Sequence, residues 1–127
     1  FPYTTLFRSD EILNYYEEKT KNRLFSTVII EHSFVDALGK ASKNQTSIAD
    51  DSTIDGMRKL ANLVKANGSS VILQISHAGS STSEEVIRQQ PGAPSAIKNP
   101  SKSTGELPRE LHVEEIEQII DNLSMQQ

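Results

Sequence analysis

The spacing of apolar residues predicts three amphipathic helices. The first spans Asp10 to about Asn22, the second lies between Ser52 and Asn67, and the third begins near Val113. In each, apolar side chains recur at the intervals that place them on one face of a helix. These faces are Ile12, Leu13 and Tyr16 in the first helix, Ile54, Met57, Leu60, Ala61 and Val64 in the second, and Val113, Ile116, Ile119, Ile120 and Leu123 in the third.

Polar residues mark the ends of the second and third helices. Ser52 is placed to cap the second helix, and Asp55 at the third helical position completes an arrangement close to a capping box. Asn67-Gly68 ends that helix with a residue suited to the left-handed conformation. Glu114 and Glu115 occupy the first turn of the third helix, where carboxylates interact favourably with the helix dipole.

Two segments between the helices are predicted to be strands. Phe25 to His32 contains three consecutive β-branched residues, Val28 to Ile30, and Val71 to Ser76 is again largely apolar. Such runs are typical of parallel strands that are buried on both faces. The order of elements contains a βαβ unit and predicts the α/β class, with about two parallel strands and three helices. This order alone does not separate an open doubly wound sheet from part of a barrel.

Composition narrows the classes of function. The net charge of −4 gives no electrostatic reason to expect nucleic acid or an anionic membrane as a partner. The sequence has no run of about 18 apolar residues that would span a bilayer, and no secretion signal is visible in it. It contains no cysteine, which rules out disulfides and thiolate metal sites within this segment. We therefore expect a cytoplasmic location and leave the oligomeric state open.

Candidate functional residues stand where the two strands end, which is where ligand sites form in parallel α/β proteins. The first group is Glu31-His32-Ser33, and the second runs from Gln74 to Gly79. Gln74 is notable within an apolar strand because a buried carboxamide needs partners for its donors and its acceptor. Either a ligand edge or a neighbouring backbone would supply them. The connection of about 35 residues that follows, from His77 to Leu111, has a length usually associated with function or disorder.

The histidines and glycines form no recognised motif for metal or nucleotide binding. His32 and His77 would converge if the two strands are neighbours, but no HExxH or comparable spacing accompanies them. We therefore expect ordinary hydrogen-bonded histidines and no metal site. His112 is expected to precede or cap the third helix without a chemical role. The sequence contains neither a GxGxxG string nor a Walker-type loop.

Five short strings, in the same order along the chain, resemble one protein family. Val71 to Gly79, Val-Ile-Leu-Gln-Ile-Ser-His-Ala-Gly, is similar to the strand-three signature of the NADH:flavin oxidoreductase (old yellow enzyme) family. The other strings are Thr27 to Ser33, Ser47 to Asp51, Ala93 to Ile97, and Pro108 to Leu111 with the Glu-rich helix after it. The resemblance covers essentially Asp10 to Gln127. It implies part of a (β/α)8 TIM barrel that binds FMN at the C-terminal ends of its strands.

The resemblance also implies an activity and two cofactor contacts. Hydride would pass from NAD(P)H through flavin N5 to a small-molecule substrate, an activated alkene or another acceptor. Gln74 matches the Gln that hydrogen-bonds the flavin pyrimidine edge. His32 stands where the family usually has a small residue whose backbone approaches the flavin, and Ser80 replaces an Arg that often follows the His-Ala-Gly string. No catalytic residue is expected in this chain, because the family's substrate-binding His/Asn pair and proton donor fall outside it.

Two other functions remain open at this point. One is a different FMN barrel, a dienoyl-CoA-reductase-like enzyme with an iron–sulfur cluster whose cysteines would lie in other sequence. The other is a non-enzymatic βαβ module that completes its sheet with a partner, since two strands alone do not make a stable sheet.

Both ends of the chain are unusual. It begins with Phe1 and stops at Gln127 while a helical pattern is still running. The segment Phe1 to Ser9 resembles the reading-frame translation of a widely used sequencing adapter. We therefore expect an artefactual tail at 1–9 and a partial FMN-dependent oxidoreductase barrel, incomplete at both ends, at 10–127.

Overall fold

A computed structural model describes residues 10–102 and 105–125; the segment Phe1 to Ser9 lies outside the described residues. The helices are α1 (Asp10–Thr20), α2 (Ile54–Ala66), α3 (Glu84–Ile87) and α4 (Val113–Met125). The strands are β1 (Thr27–Phe34), β2 (Ser70–Ser76), β3 (Gly92–Ala93) and β4 (Arg109–Glu110). The predicted order is confirmed, and the long connection after β2 is divided into short elements.

β1 and β2 form a parallel two-stranded sheet. The Cα partners are Thr27 and Ser70, Val28 and Val71, Ile29 and Ile72, Ile30 and Leu73, Ser33 and Ile75, and Phe34 and Ser76. The register shifts after Ile30, so Glu31 and His32 stand opposite the single residue Gln74. This is a β-bulge, an irregularity that bends a strand and re-aims its side chains, and that is frequent next to active sites.

The hydrophobic core lies between one face of this sheet and the helices α1 and α2. Leu60 and Val64 of α2 are fully buried, and Ile30 of β1 is 3% exposed. The core consists of Ile12, Tyr16, Ile30, Leu60 and Val64, with Leu13, Val28, Leu63, Val71 and Leu73 packed against it. Burying a Leu, Ile or Val side chain contributes about 1.5–3 kcal/mol. This face of the sheet is therefore stabilised by the chain's own helices.

The other face of the β1–β2 sheet is open within the described part of the chain. Ile29 is 62% exposed and Ile72 is 52% exposed. Gln74 is exposed on the same side of β2 as Ile72. The expectation that both strands are buried on both faces is wrong at Ile29 and Ile72, because the elements of residues 10–102 and 105–125 leave more than half of each of these side chains uncovered. Phe34, on the same face at the end of β1, is buried.

The start of α2 differs from the predicted cap. Asp50 rather than Ser52 supplies the capping side chain, since its Oδ1 accepts from the Ser52 N–H at 2.9 Å. A 3₁₀ turn, Asp51–Thr53, then leads into the helix, and Thr53 makes no side-chain cap bond. Asp55 forms an ion pair with Arg58 instead of closing a capping box. The observed cap lies two residues before the predicted one because a 3₁₀ turn precedes the helix.

The predicted end of α2 is confirmed. Gly68 has a φ of +89°, which a residue with a side chain adopts only under strain. Its N–H donates to the Lys65 carbonyl at 2.9 Å, and the Ser69 N–H donates to the Val64 carbonyl at 3.4 Å. These two bonds define a Schellman motif and satisfy carbonyls that the helix leaves unpaired.

Helix α4 starts where it was predicted but does not bury its predicted face. Val113 and Ile120 are exposed, and Ile116, Ile119 and Leu123 are only half-buried. The buried-face prediction is wrong here because the contacts that the structure shows for α4 cover only part of that face. His112 caps the helix through its backbone: its N–H donates to Glu115 Oε2 at 2.9 Å, and its carbonyl accepts from the Glu115 N–H at 3.1 Å.

Nothing in the described ranges suggests a membrane span, since no helix there is both long and apolar enough to cross one.

Candidate functional site

The polar residues at the ends of β1 and β2 gather at one edge of the sheet. The bulge brings Glu31 and His32 opposite Gln74, and all three side chains are exposed. Within residues 10–102 and 105–125 the Gln74 carboxamide has no hydrogen-bond partner. Its donors and acceptor are therefore available to a ligand at the edge of the open face.

His32 is held by a small polar cluster in which only Gln45 was not predicted from the sequence. Its Nδ1 lies 3.0 Å from Ser76 Oγ and 3.0 Å from Gln45 Nε2. Gln45 Nε2 also donates to the His32 carbonyl at 3.0 Å and to Ser76 Oγ at 3.2 Å. Gln45 comes from the polar connection after β1, which has no periodicity or motif to mark it. Ser76 belongs to the predicted group from Gln74 to Gly79.

His77 has different partners from His32. Its ring packs against Gly39, where an added Cβ would lie within 2.9 Å of three ring atoms. Its Nδ1 accepts from the Gly79 N–H at 3.2 Å, and the Ala78 N–H donates to the Gly39 carbonyl at 2.8 Å. Burial lowers the pKa of His77 and the negative charge of Asp36 opposes that shift. His77 therefore anchors the connection after β1 and does not share a site with His32.

A second polar cluster joins β4 to α4. Arg109 forms two hydrogen bonds to the carboxylate of Glu115, at 2.8 and 2.5 Å. The Arg109 guanidinium and the His112 N–H lower the pKa of Glu115 to about 2. The pair lines a cavity of about 310 Å³, which His77 and Asp36 also line. Because the charges already satisfy each other, the cluster fixes the start of α4 rather than offering a free charged group.

Potential metal ligands are dispersed in the part of the chain that the structure describes. It contains no group of three or more His, Cys, Asp or Glu side chains that could hold an ion.

The residues from 3 to 125 match the model of the NADH:flavin oxidoreductase / NADH oxidase family. The chain therefore belongs to this family, and its two parallel β/α units are part of the family's (β/α)8 barrel. The matched range begins inside the segment Phe1 to Ser9.

Relatives with described activities are similar over most of this chain but are much longer. The NADH:fumarate oxidoreductase of Klebsiella pneumoniae (strain 342) is 37% identical over 113 residues, which are 88% of this chain and 12% of that protein. The NADH:acrylate oxidoreductase of Vibrio harveyi is 35% identical over 114 residues, 89% of this chain and 11% of that protein. The NADPH dehydrogenase of Geobacillus sp. (strain WCH70) is 37% identical over 95 residues, 73% of this chain and 26% of that protein.

Solved structures show the same architecture. The complex of 2-naphthoyl-CoA reductase with 2-naphthoyl-CoA superposes with a TM-score of 0.82 at 25% identity, covering 94% of this chain and 19% of that one. The old yellow enzyme from Pichia sp. AKU4542 has a TM-score of 0.78 at 22% identity, covering 96% of this chain and 36% of that one. The likeness confirms the barrel fold, whereas the flavin contacts assigned to Gln74 and His32 stay predictions.

Proposed function

We propose that the complete protein is an FMN-dependent NAD(P)H oxidoreductase and that this chain supplies two neighbouring β/α units of its barrel. The observation that carries the proposal is the open sheet face. Its apolar residues, Ile29 and Ile72, lead to Gln74 and His32 at the C-terminal edge. In barrels of this class, the inner face is filled by side chains and the ligand binds at that edge.

The residues present fit an isoalloxazine ring. Gln74 offers a carboxamide without a protein partner among the described residues, and the flavin pyrimidine edge has both an N–H donor and carbonyl acceptors. The bulge at Glu31 and His32 interrupts the regular strand beside it, which supports a close approach of the backbone to the ring. When bound, FMN would supply hydride transfer between a nicotinamide and the acceptor.

The acceptor class that we propose is an activated alkene. Fumarate and acrylate, which appear in the names of two relatives, are both α,β-unsaturated carboxylates. The partners in this proposal are small molecules, NAD(P)H and the acceptor, and the proposed location is the cytoplasm. Membership of the family argues against the non-enzymatic module considered above.

A dienoyl-CoA-reductase-like enzyme with FMN and an iron–sulfur cluster is the second candidate. It is favoured by the TM-score of 0.82 to a 2-naphthoyl-CoA reductase, a protein that acts on an aromatic acyl-CoA thioester. The cluster ligands would have to come from sequence beyond this chain, which contains no cysteine.

The test is to extend the gene from the source DNA, express the complete product and measure its cofactors. We expect the reading frame to continue through several further β/α units, because a whole barrel needs about 250 residues. We also expect tightly bound FMN and oxidation of NADH or NADPH coupled to reduction of fumarate, acrylate or an enone. Iron and acid-labile sulfide would identify the second candidate. A product that ends near Gln127 or binds no flavin would contradict both.

A further inference from the structure

The connection after β1 is held by backbone hydrogen bonds, and one of its side chains, Gln45, contacts His32 at the edge of the sheet. Its backbone pairs with the end of β1: the Phe34 N–H donates to the Thr46 carbonyl at 2.9 Å, and the Ile48 N–H donates to the Phe34 carbonyl at 3.0 Å. Gln45, next to this pairing, is only 7% exposed. A carboxamide buried in a polar loop needs specific partners, and these partners determine its orientation.

Two backbone groups fix the orientation of the Gln45 amide. Its Oε1 accepts from the Ala41 N–H at 2.6 Å, and its Nε2 donates to the His32 carbonyl at 3.0 Å. A backbone N–H can only donate and a carbonyl can only accept. If the amide oxygen and nitrogen were exchanged, the NH₂ group would face the Ala41 N–H, donor against donor. The amide oxygen would face the His32 carbonyl, acceptor against acceptor.

The fixed amide favours one tautomer of His32. Gln45 Nε2 lies 3.0 Å from His32 Nδ1, and an amide nitrogen has only donors. One N–H of Gln45 Nε2 serves the His32 carbonyl, and the other is shared between Ser76 Oγ at 3.2 Å and the nearer His32 Nδ1 at 3.0 Å. A proton on Nδ1 would oppose this shared donor. The Ser76 hydroxyl, 3.0 Å from the same Nδ1, is able to donate to it. With Nδ1 an acceptor, the proton of the neutral ring stands on Nε2.

The ring contacts the open side of the sheet. Ser76 lies two residues beyond Gln74, so the two side chains project from the same face of β2. Because His32 touches Ser76 and stands opposite Gln74 at the bulge, its ring lies next to the carboxamide that we assign to the flavin. His32 Nε2 has no partner among the described residues.

We propose that Gln45 is a positioning residue that holds His32 in its Nε2–H tautomer, so that His32 donates a hydrogen bond to an oxygen or nitrogen of the flavin ring. The proposal rests on the proposed function, since it needs FMN at this edge of the barrel. The proposal gives a role to His32, which stands where the family usually has a small residue.

The first experiment reads the tautomer directly. The complete flavoprotein is labelled with ¹⁵N-histidine, and His32 is assigned by difference from His32→Gln. We expect two-bond ¹⁵N–¹H spectra to show the proton on Nε2 in the unsubstituted protein. Gln45→Glu replaces the donating NH₂ by an accepting oxygen, so the proton should move to Nδ1. A proton on Nδ1 in the unsubstituted protein, or an unchanged tautomer in Gln45→Glu, would overturn the proposal.

The second experiment asks whether His32 reaches the cofactor. FMN is titrated into the apoproteins of the unsubstituted form, Gln45→Met, His32→Phe and the double variant. Gln45→Met should weaken FMN binding about fivefold, the effect of losing about one hydrogen bond, and should have no effect in the His32→Phe background. The exposed Gln90→Met is the matched control and should bind FMN normally. Equal losses from Gln45→Met in both backgrounds would show a purely structural role and overturn the assignment.

The two experiments also separate this proposal from the proposed function. If no form binds FMN, the proposed function fails, and the donor role of His32 fails with it. If FMN binds normally in all four proteins, the function stands and the donor role of His32 is overturned. Thermal melting of each apoprotein identifies variants that are not folded. The tautomer of the unsubstituted protein tests the proposal without a substitution at Gln45.

Discussion

The two faces of the β1–β2 sheet are built from alternate residues of the same strands and have opposite surroundings. Ile30 points towards α1 and α2 and is 3% exposed, whereas its neighbour Ile29 points the other way and is 62% exposed. Both are isoleucines, so side-chain chemistry does not distinguish them. The difference is whether the chain itself supplies a cover.

This difference separates a self-contained part of the molecule from one that depends on more of the barrel. The covered face buries apolar side chains against helices that lie next to it in the sequence. The open face presents apolar side chains and ends in polar residues at its C-terminal edge, where we propose that the flavin binds. Stability should therefore respond to changes on the covered face, and cofactor binding to changes at the edge of the open face.

The largest expected effect comes from separating the open face from the rest of the barrel. Residues 10–127 expressed alone should unfold without cooperativity and bind FMN weakly or not at all, because Ile29 and Ile72 would face water beside unpaired strand edges. Circular dichroism during heating, gel filtration and FMN titration test this. A monomeric yellow protein with a sharp thermal transition would show that the open face needs no cover.

On the covered face, Leu60→Ala in the complete protein should cost about 2–5 kcal/mol of unfolding free energy, because it leaves a cavity at a fully buried position. Leu107→Ala is the matched control; this leucine is 56% exposed, so its loss should cost no more than about 0.5 kcal/mol. Urea denaturation followed by circular dichroism measures both. Similar losses for the two variants would mean that the covered face is not the main core of this unit.

At the edge of the open face, Gln74→Leu should leave flavin polar groups unpaired and cost about 1–3 kcal/mol, roughly 5- to 150-fold in FMN affinity. Gln74→Glu should lower the flavin midpoint potential, because a carboxylate disfavours the ring when two-electron reduction makes it anionic. An FMN titration and a spectroelectrochemical titration measure the two effects. If the unsubstituted protein, Gln74→Leu and Gln74→Glu have the same FMN affinity and midpoint potential within error, Gln74 makes no flavin contact.

A smaller effect is expected from His77, which packs beneath the connection after β1. Burial lowers its pKa in the folded protein, so the unfolded chain takes up a proton first as the pH falls. The contribution of His77 to stability is therefore complete above its unfolded pKa of about 6.5 and decreases as the pH falls below that value. Melting temperatures between pH 8 and pH 5 should show a shallower decline for His77→Phe, which keeps a ring against Gly39, and for His77→Gln. If the melting temperature of both variants declines as steeply as that of the unsubstituted protein, groups other than His77 cause the decline.

The smallest effect is expected at the N-terminus. Deleting Phe1 to Ser9, which lie outside the described residues, should leave the unfolding free energy of the complete protein unchanged, because the resemblance to a translated adapter predicts a segment that did not evolve with the fold. Chemical denaturation of the two forms tests this. A loss of more than about 1 kcal/mol would show that the segment belongs to the fold.

Features set by neighbouring residues were predictable from the sequence. The apolar spacing identified α2 and its buried residues Leu60 and Val64, and Asn67-Gly68 identified its end. The cap at the start of α2 was predicted at the wrong residue. Asp50 and Ser52 are both suitable capping residues, and Asp50 is the cap because a 3₁₀ turn, Asp51–Thr53, precedes the helix. The flavin candidates Gln74 and His32 came from the position of strand ends together with family resemblance.

The remaining features depend on which segments meet in three dimensions. The sequence by itself determined β1, β2, α1, α2, α4 and the edge of the sheet where polar residues collect, because periodicity and turn chemistry act over a few residues. The short elements α3, β3 and β4 were not predicted. Only the tertiary structure decided the bulge opposite Gln74, the open face beside it and the contact between Gln45 and His32. Each of these depends on strand register or on the path of a loop. Side chains thirteen positions apart in sequence meet only after the chain has closed that loop, and local preferences do not encode that closure.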